Sequence, residues 1–262
     1  MRTIVFLDLD HTYWSWGKVP ETARQAVLDA RANGHVVVAN TSRTRGGSVG
    51  HWPEEFDGVC CGAGTDIEFH GEQLLFETLG TERARAAFKA IAAPRCMIMS
   101  EGTRRNFLYS RVPGVKAIAR RVSQKFVGPG FTMGEITDMD DEDFVEVQKY
   151  IVTFADGTAS KRLAKLDLPT GIAAFPLRFA FEVADERFNK VTGMDVVREH
   201  LGTGWRTVAI GDSVNDIGMF QAADMGVAMG DSKDEVKRAA DLVTDDLNHD
   251  GVLHAFQQLG LV

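Results

Sequence analysis

Short apolar segments that end in polar clusters alternate with helical segments at the start of this sequence. Residues 3–7 (TIVFL) are apolar and rich in β-branched and aromatic side chains, which predicts a buried central strand. Apolar residues at helical spacing over 20–33 predict a helix that Gly34 stops, and residues 36–39 (VVVA) predict a second buried strand. Strand, helix and strand in this order form a βαβ unit, which implies a parallel sheet with helices on both faces.

The C-terminal part of the chain repeats this alternation. Strands are predicted at residues 206–210, 226–229 and 242–243, and helices at 194–201, 217–223, 233–240 and 251–259. The two ends of the chain therefore predict one α/β core with a doubly wound parallel sheet, similar to a Rossmann fold.

The middle of the chain lacks this regular alternation. Helices are predicted at residues 81–92, 115–126 and 161–166, strands at 95–100, 150–154 and 177–183, and a loop at 128–134. An acidic run covers residues 138–146. We predict an α+β insert over residues 81–185, between core segments 1–80 and 186–262.

Composition limits the class of protein and its partners. The 262 residues include 29 Lys and Arg against 37 Asp and Glu, a formal net charge of −8, so no overall positive field attracts nucleic acid or an anionic membrane. No stretch reaches the roughly 18 apolar residues that a membrane-spanning helix needs. Cys60, Cys61 and Cys96 fit neither a disulfide framework nor a zinc site. We expect a cytoplasmic monomer or homodimer without nucleic-acid or membrane partners.

Two carboxylates follow the first predicted strand. Asp8 and Asp10 are two residues apart, so their side chains share a strand face at the sheet end where ligands of open α/β sheets bind. The two charges repel each other unless a cation or a shared proton compensates, and Mg²⁺ prefers such oxygen ligands. The alternative is an acidic turn that caps a helix.

A second acidic cluster, residues 211–216 (GDSVND), follows another apolar strand. Asp212 could bind the same cation, or it could be only the N-cap of a helix. Asp216 would lie one turn away if a helix starts there. Two acidic clusters at strand ends favour the metal site over the cap.

Residues suited to phosphate come between these clusters. Thr41, Ser42 and Arg43 follow the second predicted strand, and hydroxyls, backbone amides and an arginine fork bind phosphate oxygens. Lys190 precedes a predicted helix and offers a point cation. Each residue alone is more typical of a solvated surface, so only the combination is informative.

Four parts of the chain resemble, in sequence order, the four motifs of the haloacid dehalogenase-like hydrolases. They are DLDHT (8–12), NTSRT (40–44), Lys190 and GDSVND (211–216). Residues 61–75 (CGAGTDIEFHGEQLL) resemble the segment before the cap in the Cof-type branch, and residues 226–246 resemble its C-terminal stretch. The resemblance implies a catalytic core that carries an inserted C2-type cap, at the place of the predicted insert.

The resemblance also implies a phosphatase that acts on a small phosphate monoester. Asp8 would be the nucleophile that takes the phosphoryl group as an aspartyl-phosphate. Asp10 would protonate the leaving oxygen and then deprotonate the hydrolytic water. Thr41 and Lys190 would hold the phosphoryl oxygens as charge builds on them.

The implied cofactor is Mg²⁺, bound by the Asp8 carboxylate, the backbone carbonyl of Asp10 and Asp212. Asp216 would orient these ligands and pair with Lys190. The substrate-binding residues that the resemblance implies are Thr41, Ser42, Arg43, Lys190 and Asn215.

Some residues depart from the family pattern or have two interpretations. Capped members usually have Gly in place of His11 and a small apolar residue in place of Tyr13, which bears on the substrate. Trp14 and Trp16 either stack on a sugar or pack in the interior, and we favour packing. Five arginines of the insert either bind a second anionic group or lie in solvent, and we favour solvent: Arg104, Arg105, Arg111, Arg120 and Arg121. For the substrate, Arg43 and Arg45 are better candidates.

The NTSRT segment is similar to that of sugar-phosphate phosphatases, which favours a sugar or polyol phosphate. A phosphomutase or phosphotransferase on the same scaffold would share every motif. A phosphoacceptor signalling domain also places paired Asp, Thr or Ser, and Lys at strand ends, but it is about half as long and lacks an equivalent of GDSVND. No GxGxxG follows the first strand, which argues against dinucleotide binding.

Overall fold

A computed structural model gives the structure of the protein and describes residues 1–15, 18–47, 54–93, 96–102, 106–110, 133–136, 144–154, 162–163, 165–177 and 180–262. The chain divides into two compact units. The first comprises Met1–Ser42, Pro53–Phe76 and Asn189–Val262, and the second comprises Arg43–Trp52 and Glu77–Phe188. In the part of the chain that the structure describes, every helix is too short or too polar to cross a membrane.

The strands are Thr3–Leu7 (β1), Val36–Asn40 (β2), Gly58–Cys61 (β3), Asp66–Phe69 (β4), Glu72–Phe76 (β5), Cys96–Gly102 (β6), Asn106–Ser110 (β7), Met133–Ile136 (β8), Val147–Phe154 (β9), Ile172–Pro176 (β10), Ala180–Asp185 (β11), Arg206–Gly211 (β12), Met225–Ala228 (β13) and Leu242–Val243 (β14). The helices are Glu21–Ala32 (α1), Thr81–Ile91 (α2), Lys190–Leu201 (α3), Ile217–Ala222 (α4), Asp234–Ala239 (α5) and Gly251–Gln258 (α6).

The first unit is built on an eight-stranded sheet in the order β14-β13-β12-β1-β2-β3-β4-β5. The strands from β14 to β3 pair in parallel, whereas β3, β4 and β5 form an antiparallel meander. Strand β1 lies between β12 and β2, and all five of its residues are buried. The predicted buried central strand and parallel sheet are therefore confirmed.

Both faces of β1 are covered. Ile4 and Phe6 belong to a core cluster that includes Met194 of α3 and Met219 of α4. Because side chains alternate along a strand, Val5 faces the opposite side of the sheet, and it is fully buried there. Helix α1 packs against α6 and against β2. This arrangement places the carboxyl ends of β12, β1 and β2 side by side.

The second unit contains a six-stranded sheet in the order β10-β11-β9-β6-β7-β8, antiparallel except for the β7–β8 pair. Tyr150 and Val152 of β9 pack with Ala84 and Ala87 of α2 in its core, and the Tyr150 hydroxyl donates to the carbonyl of Ala84 at 2.9 Å. The α/β core with an inserted α+β unit is thus the observed fold. The exact limits of the insert, residues 81 and 185, stay a prediction.

The structure corrects two predictions in the second unit. The strand predicted at residues 177–183 is present at 180–183 but begins too early in the prediction, because β10 ends at Pro176 and β11 begins at Ala180. Pro176 has no N–H to donate, and the next residue, Leu177, donates its own N–H to the Ala180 carbonyl at 2.9 Å, which closes a reversal. The loop predicted at 128–134 is wrong at Met133 and Gly134, which open β8.

Several predictions fall partly or wholly outside the described residues. The helix predicted at 115–126 lies entirely outside them. The other predictions are affected in part, at residues 128–132 of the loop, residues 138–143 of the acidic run, and residues 161 and 164 of the third helix of the insert.

Helix α3 begins four residues earlier than predicted, at Lys190 instead of Met194. The side chain of Asn189 accepts a hydrogen bond from the N–H of Val191 at 2.8 Å. In return, the Thr192 hydroxyl accepts from the N–H of Asn189 at 3.2 Å. This reciprocal cap satisfies two N–H groups that would otherwise lack partners, so the helix can start at a sequence of weak helix formers.

Candidate active site

Polar residues follow three neighbouring parallel strands at their carboxyl ends. Asp8 follows β1, and its N–H still donates to the Ile210 carbonyl of β12 at 2.9 Å. Thr41 follows β2, and its N–H donates to the Cys60 carbonyl of β3 at 2.8 Å. Asp212 follows β12. The ladder hydrogen bonds therefore continue beyond the ends of β1 and β2 and fix the backbone positions of Asp8 and Thr41.

Three carboxylates form a cluster at this edge. One oxygen from each of Asp8, Asp212 and Asp216 lies within 4.8 Å of the others. Asp8 is 5% exposed and Asp216 is fully buried, while Asp212 is partly buried. The structure thus brings together acidic side chains from both ends of the chain, as a shared cation would require.

Lys190 lies between two of these carboxylates. Its Nζ is 2.5 Å from Oδ1 of Asp8 and 2.5 Å from Oδ1 of Asp216. Lys190 is only 3% exposed and is the first residue of α3. The pair between Lys190 and Asp216 that the family resemblance implies is therefore present, and the solvated-surface interpretation of this lysine is wrong.

The Asp216 carboxylate is held from several directions. Its Oδ2 accepts from the N–H groups of Asp212 at 3.1 Å and Ser213 at 2.9 Å, and from the Ser213 hydroxyl at 3.2 Å. A Cβ atom at Gly211 would lie 2.4 Å from Cγ of Asp216, so a side chain there would displace this carboxylate. Asp216 therefore acts as a fixed support for Lys190, and the glycine of the GDSVND segment leaves room for it.

The cluster carries more negative charge than Lys190 neutralises. Burial raises the pKa of Asp8 well above its usual value, Lys190 opposes this, and Asp216 and Asp212 add to it. Burial and the charge of Asp216 raise the pKa of Asp212 to about 6, against the opposing effects of His11 and Lys190. Burial lowers the pKa of Lys190, but Asp216 and Asp8 outweigh it, so the net change is upward. When all four groups are ionised, two negative charges remain in excess.

The turn after Asp10 is closed by buried side chains. Trp14 is 3% exposed, and its indole N–H donates to Oδ1 of Asp10 at 3.2 Å, so it is packed as we favoured. Tyr13 is fully buried and its hydroxyl donates to the Glu55 carboxylate. His11 has a φ of 62°, a conformation that glycine adopts most easily, which explains why the resembled family usually has glycine there.

The other predicted phosphate-binding residues have different surroundings. Thr41 is 2% exposed. The Ser42 hydroxyl accepts from Nδ2 of Asn215 at 3.1 Å, which connects the residues after β2 and β12. Arg43 and Arg45 belong to the second unit. There, burial raises the pKa of Glu101, whereas Arg43 acts in the opposite direction.

Trp16 and the five arginines considered above for a second anionic group lie outside the described residues. Roles for Arg104, Arg105, Arg111, Arg120 and Arg121 therefore stay predictions.

Two further residues of the site, Asn40 and Thr12, were not predicted from the sequence. Asn40 is fully buried at the end of β2, and its Nδ2 donates to the Lys190 carbonyl at 2.8 Å. Its Oδ1 is one of the few buried polar atoms without a hydrogen-bond partner in the described part of the chain. Thr12 donates its hydroxyl to Oδ1 of Asp212 at 3.4 Å. The signal for Asn40 was a lone polar residue that ends the apolar run VVVAN.

Comparisons with known proteins identify the family of the chain. The family model described as haloacid dehalogenase-like hydrolase matches residues 5–256. A phosphoglycolate phosphatase of Archaeoglobus fulgidus is 38% identical over 93 residues, which cover 35% of this chain and 42% of that protein. The aligned part thus spans less than half of that relative.

Two further relatives match along the whole chain. A Bacillus subtilis protein, named only provisionally as a phosphatase, is 24% identical over 99% of this chain and 98% of its own. A solved structure, described as a subclass IIB sugar phosphatase, superposes with a TM-score of 0.80 at 22% identity and covers 99% of this chain and 100% of its own.

Proposed function

Since this chain belongs to the haloacid dehalogenase-like hydrolases, of the Cof type, we propose that it is a Mg²⁺-dependent phosphatase. It hydrolyses a small phosphate monoester, of a sugar or polyol, through an aspartyl-phosphate intermediate. The observation that carries this proposal is the cluster of Asp8, Asp212 and Asp216 around Lys190 at the carboxyl ends of β1 and β12.

The residues present fit a magnesium ion. All the donors are oxygens, which Mg²⁺ prefers, and the excess of two negative charges equals the charge of one divalent cation. Asp216 is already engaged by Lys190 and by backbone N–H groups. We therefore assign the ion to the carboxylates of Asp8 and Asp212 and the backbone carbonyl of Asp10. When bound, it supplies positive charge that polarises the phosphoryl group and offsets the repulsion between substrate and nucleophile.

In the first half-reaction, a carboxylate oxygen of Asp8 attacks phosphorus, and the bond from phosphorus to the leaving oxygen breaks. Asp10 gives a proton to that oxygen, so the product leaves as an alcohol. Lys190 and Thr41 hold the phosphoryl oxygens where negative charge develops. Asp216 and Asn40 keep Lys190 in place through its Nζ and its carbonyl, respectively.

In the second half-reaction, Asp10 takes a proton from water as the water oxygen attacks the phosphorus of the aspartyl-phosphate. The bond between phosphorus and Asp8 breaks, which releases inorganic phosphate and restores the carboxylate. The same side chain thus serves as acid and then as base, and its protonation state after one turnover equals that at the start.

Two observations support the substrate class and the compartment. The NTSRT segment resembles that of sugar-phosphate phosphatases, and a sugar phosphatase is among the proteins of similar fold. Cys60, Cys61 and Cys96 are buried free thiols, which suits the reducing cytoplasm.

The test is release of inorganic phosphate with and without Mg²⁺ from glucose 6-phosphate, mannose 6-phosphate, ribose 5-phosphate, glycerol 3-phosphate and p-nitrophenyl phosphate. We expect Asp8→Asn to abolish turnover while the circular dichroism spectrum stays unchanged. Asp29→Asn, on the exposed side of α1, is the matched control and should keep full activity.

Two results would overturn the proposal. One is Mg²⁺-dependent turnover by Asp8→Asn after deamidation has been excluded by mass spectrometry. The other is isomerisation of a sugar phosphate without phosphate release, which would identify a phosphomutase.

A further inference from the structure

Trp14 closes the turn that carries Asp10. The N–H groups of Tyr13 and Trp14 both donate to the Leu9 carbonyl at 2.9 Å, and the N–H of His11 donates to the Trp14 carbonyl at 2.8 Å. Asp10 and Trp14 also pair as an isolated β-bridge. The backbone of Trp14 is therefore fixed relative to that of Asp10 by several hydrogen bonds.

The side chain of Trp14 is fixed as well. It is 3% exposed, and Nε1 donates to Oδ1 of Asp10 at 3.2 Å. An indole N–H can only donate, and a buried one requires an acceptor. The carboxyl group of Asp10 is the acceptor in this structure, so the rigid ring restrains rotation of that carboxyl group.

We propose that Trp14 is a positioning residue that orients the carboxyl group of Asp10 for proton transfer. By holding Oδ1, the indole sets the plane of the carboxyl group and hence the direction of Oδ2, from which the proton passes to the leaving oxygen. This inference rests on the proposed function, in which Asp10 is the acid and base.

The hydrogen bond also becomes stronger during the reaction. As the bond between phosphorus and the leaving oxygen breaks, Asp10 loses its proton to that oxygen and becomes a carboxylate. A hydrogen bond to an ionised acceptor is stronger than one to a neutral acceptor. The Trp14 N–H thus favours the state that follows proton transfer.

The expected signature is a dependence on the leaving group. The alkoxide released from a sugar phosphate is strongly basic and needs a proton, whereas p-nitrophenolate is weakly basic and leaves without one. General acid catalysis contributes about 10²–10⁴-fold to rates, so misplacing the acid should lower kcat/KM about tenfold or more for a sugar phosphate. For p-nitrophenyl phosphate the loss of kcat/KM should be at most about threefold, because kcat/KM covers only the steps up to departure of the leaving group. The later attack of water needs Asp10 as base with either ester, so kcat falls for both esters when that step limits the rate.

The experiment replaces Trp14 by benzothienylalanine, which keeps the ring outline but has sulfur in place of the N–H. Trp14→Phe is a second variant that also removes the donor. The matched control is the same replacement at Trp205, which precedes the amino end of β12 and stacks on Arg2. At about 3.3 Å for each of seven residues, its backbone lies about 23 Å from that of Asp212.

Wild type, variants and control are compared in kcat and KM with Mg²⁺, on p-nitrophenyl phosphate and on the alkyl ester of the panel that wild type hydrolyses fastest. A fall in kcat/KM confined to the alkyl ester supports the inference. Equal losses of kcat/KM on both esters, or none, overturn it and leave the proposed function intact. Absence of phosphate release by the wild type overturns the proposed function, and the inference with it.

Discussion

Asp212→Asn is expected to stabilise the protein when no divalent cation is present. Burial and the nearby charge of Asp216 raise the pKa of Asp212 from 3.8 to about 6. A carboxyl group with a raised pKa is harder to ionise in the folded protein than in the unfolded chain. Its ionised form therefore lowers the free energy of unfolding. Asparagine removes the charge and keeps Oδ1 as an acceptor for the Thr12 hydroxyl.

The magnitude follows from the two pKa values, 3.8 and about 6. Below pH 3.8 Asp212 is protonated in both states and has no effect on stability. As the pH rises towards 6, the unfolded chain loses its proton first and stability falls; above pH 6 the loss is complete. At about 1.4 kcal/mol for each pH unit, the full loss is about 3 kcal/mol. Solvent reaches part of Asp212, so we expect Asp212→Asn to recover about 1–3 kcal/mol.

The assay is urea unfolding in EDTA at pH 4.5 and pH 8, for wild type, Asp212→Asn and the exposed control Asp29→Asn. The gain should be larger at pH 8 and absent in the control. Added Mg²⁺ should reverse the order, because an ion that binds only the folded state stabilises it, and the variant lacks a ligand. A variant less stable than wild type in EDTA at pH 8 would refute the electrostatic reasoning.

Three further predictions concern packing, positioning and acid stability. Gly193→Ala should lower the free energy of unfolding by about 1–3 kcal/mol, since the added methyl group would lie 2.8 Å from Cβ of Cys60; urea unfolding equal to wild type would contradict this. Asn40→Ala should lower kcat for phosphate release, and the activation free energy should rise by more than the free energy of unfolding falls. The reason is that the substitution removes the donor to the first turn of α3 together with an unpartnered buried carbonyl; wild-type kcat would contradict it. Hydrogen bonds from Thr207 hold the pKa of Asp224 below its usual value, so Asp224 contributes stability above the unfolded pKa that is lost as the pH falls through the folded pKa. Asp224→Ala should thus be less stable than wild type at pH 7, and urea unfolding at pH 3 should show a smaller difference.

The central part of the fold could be predicted because its signal is local. Strands β1, β2 and β12 are short apolar runs, and each ends at polar residues that a buried strand would not contain. Parallel strands from βαβ units end at the same edge of the sheet. The placement of Asp8 and Asp212 at the same edge therefore follows from the pattern, before any coordinates are known. That β12 is the direct neighbour of β1 does not follow from it.

The surroundings of Lys190 could not be predicted in the same way. Lysine is rarely buried unless it is paired, and one of its partners, Asp8, lies 182 positions away in the sequence. Asn40 donates to the Lys190 carbonyl across 150 positions. Nothing near Lys190 in the sequence indicates either contact. Such contacts arise only once α3 has packed on the sheet.

The strand order has a consequence for synthesis on the ribosome. Strand β1 is made first, yet one of its two neighbours, β12, follows about 200 residues later in the register that pairs Thr3 with Arg206. At about 5–20 residues per second, roughly 10–40 s pass before that neighbour is translated. In this interval the nascent chain carries an apolar strand with an open edge, which can pair with other chains. Translation that stops before residue 206 should therefore yield aggregates instead of a smaller folded protein.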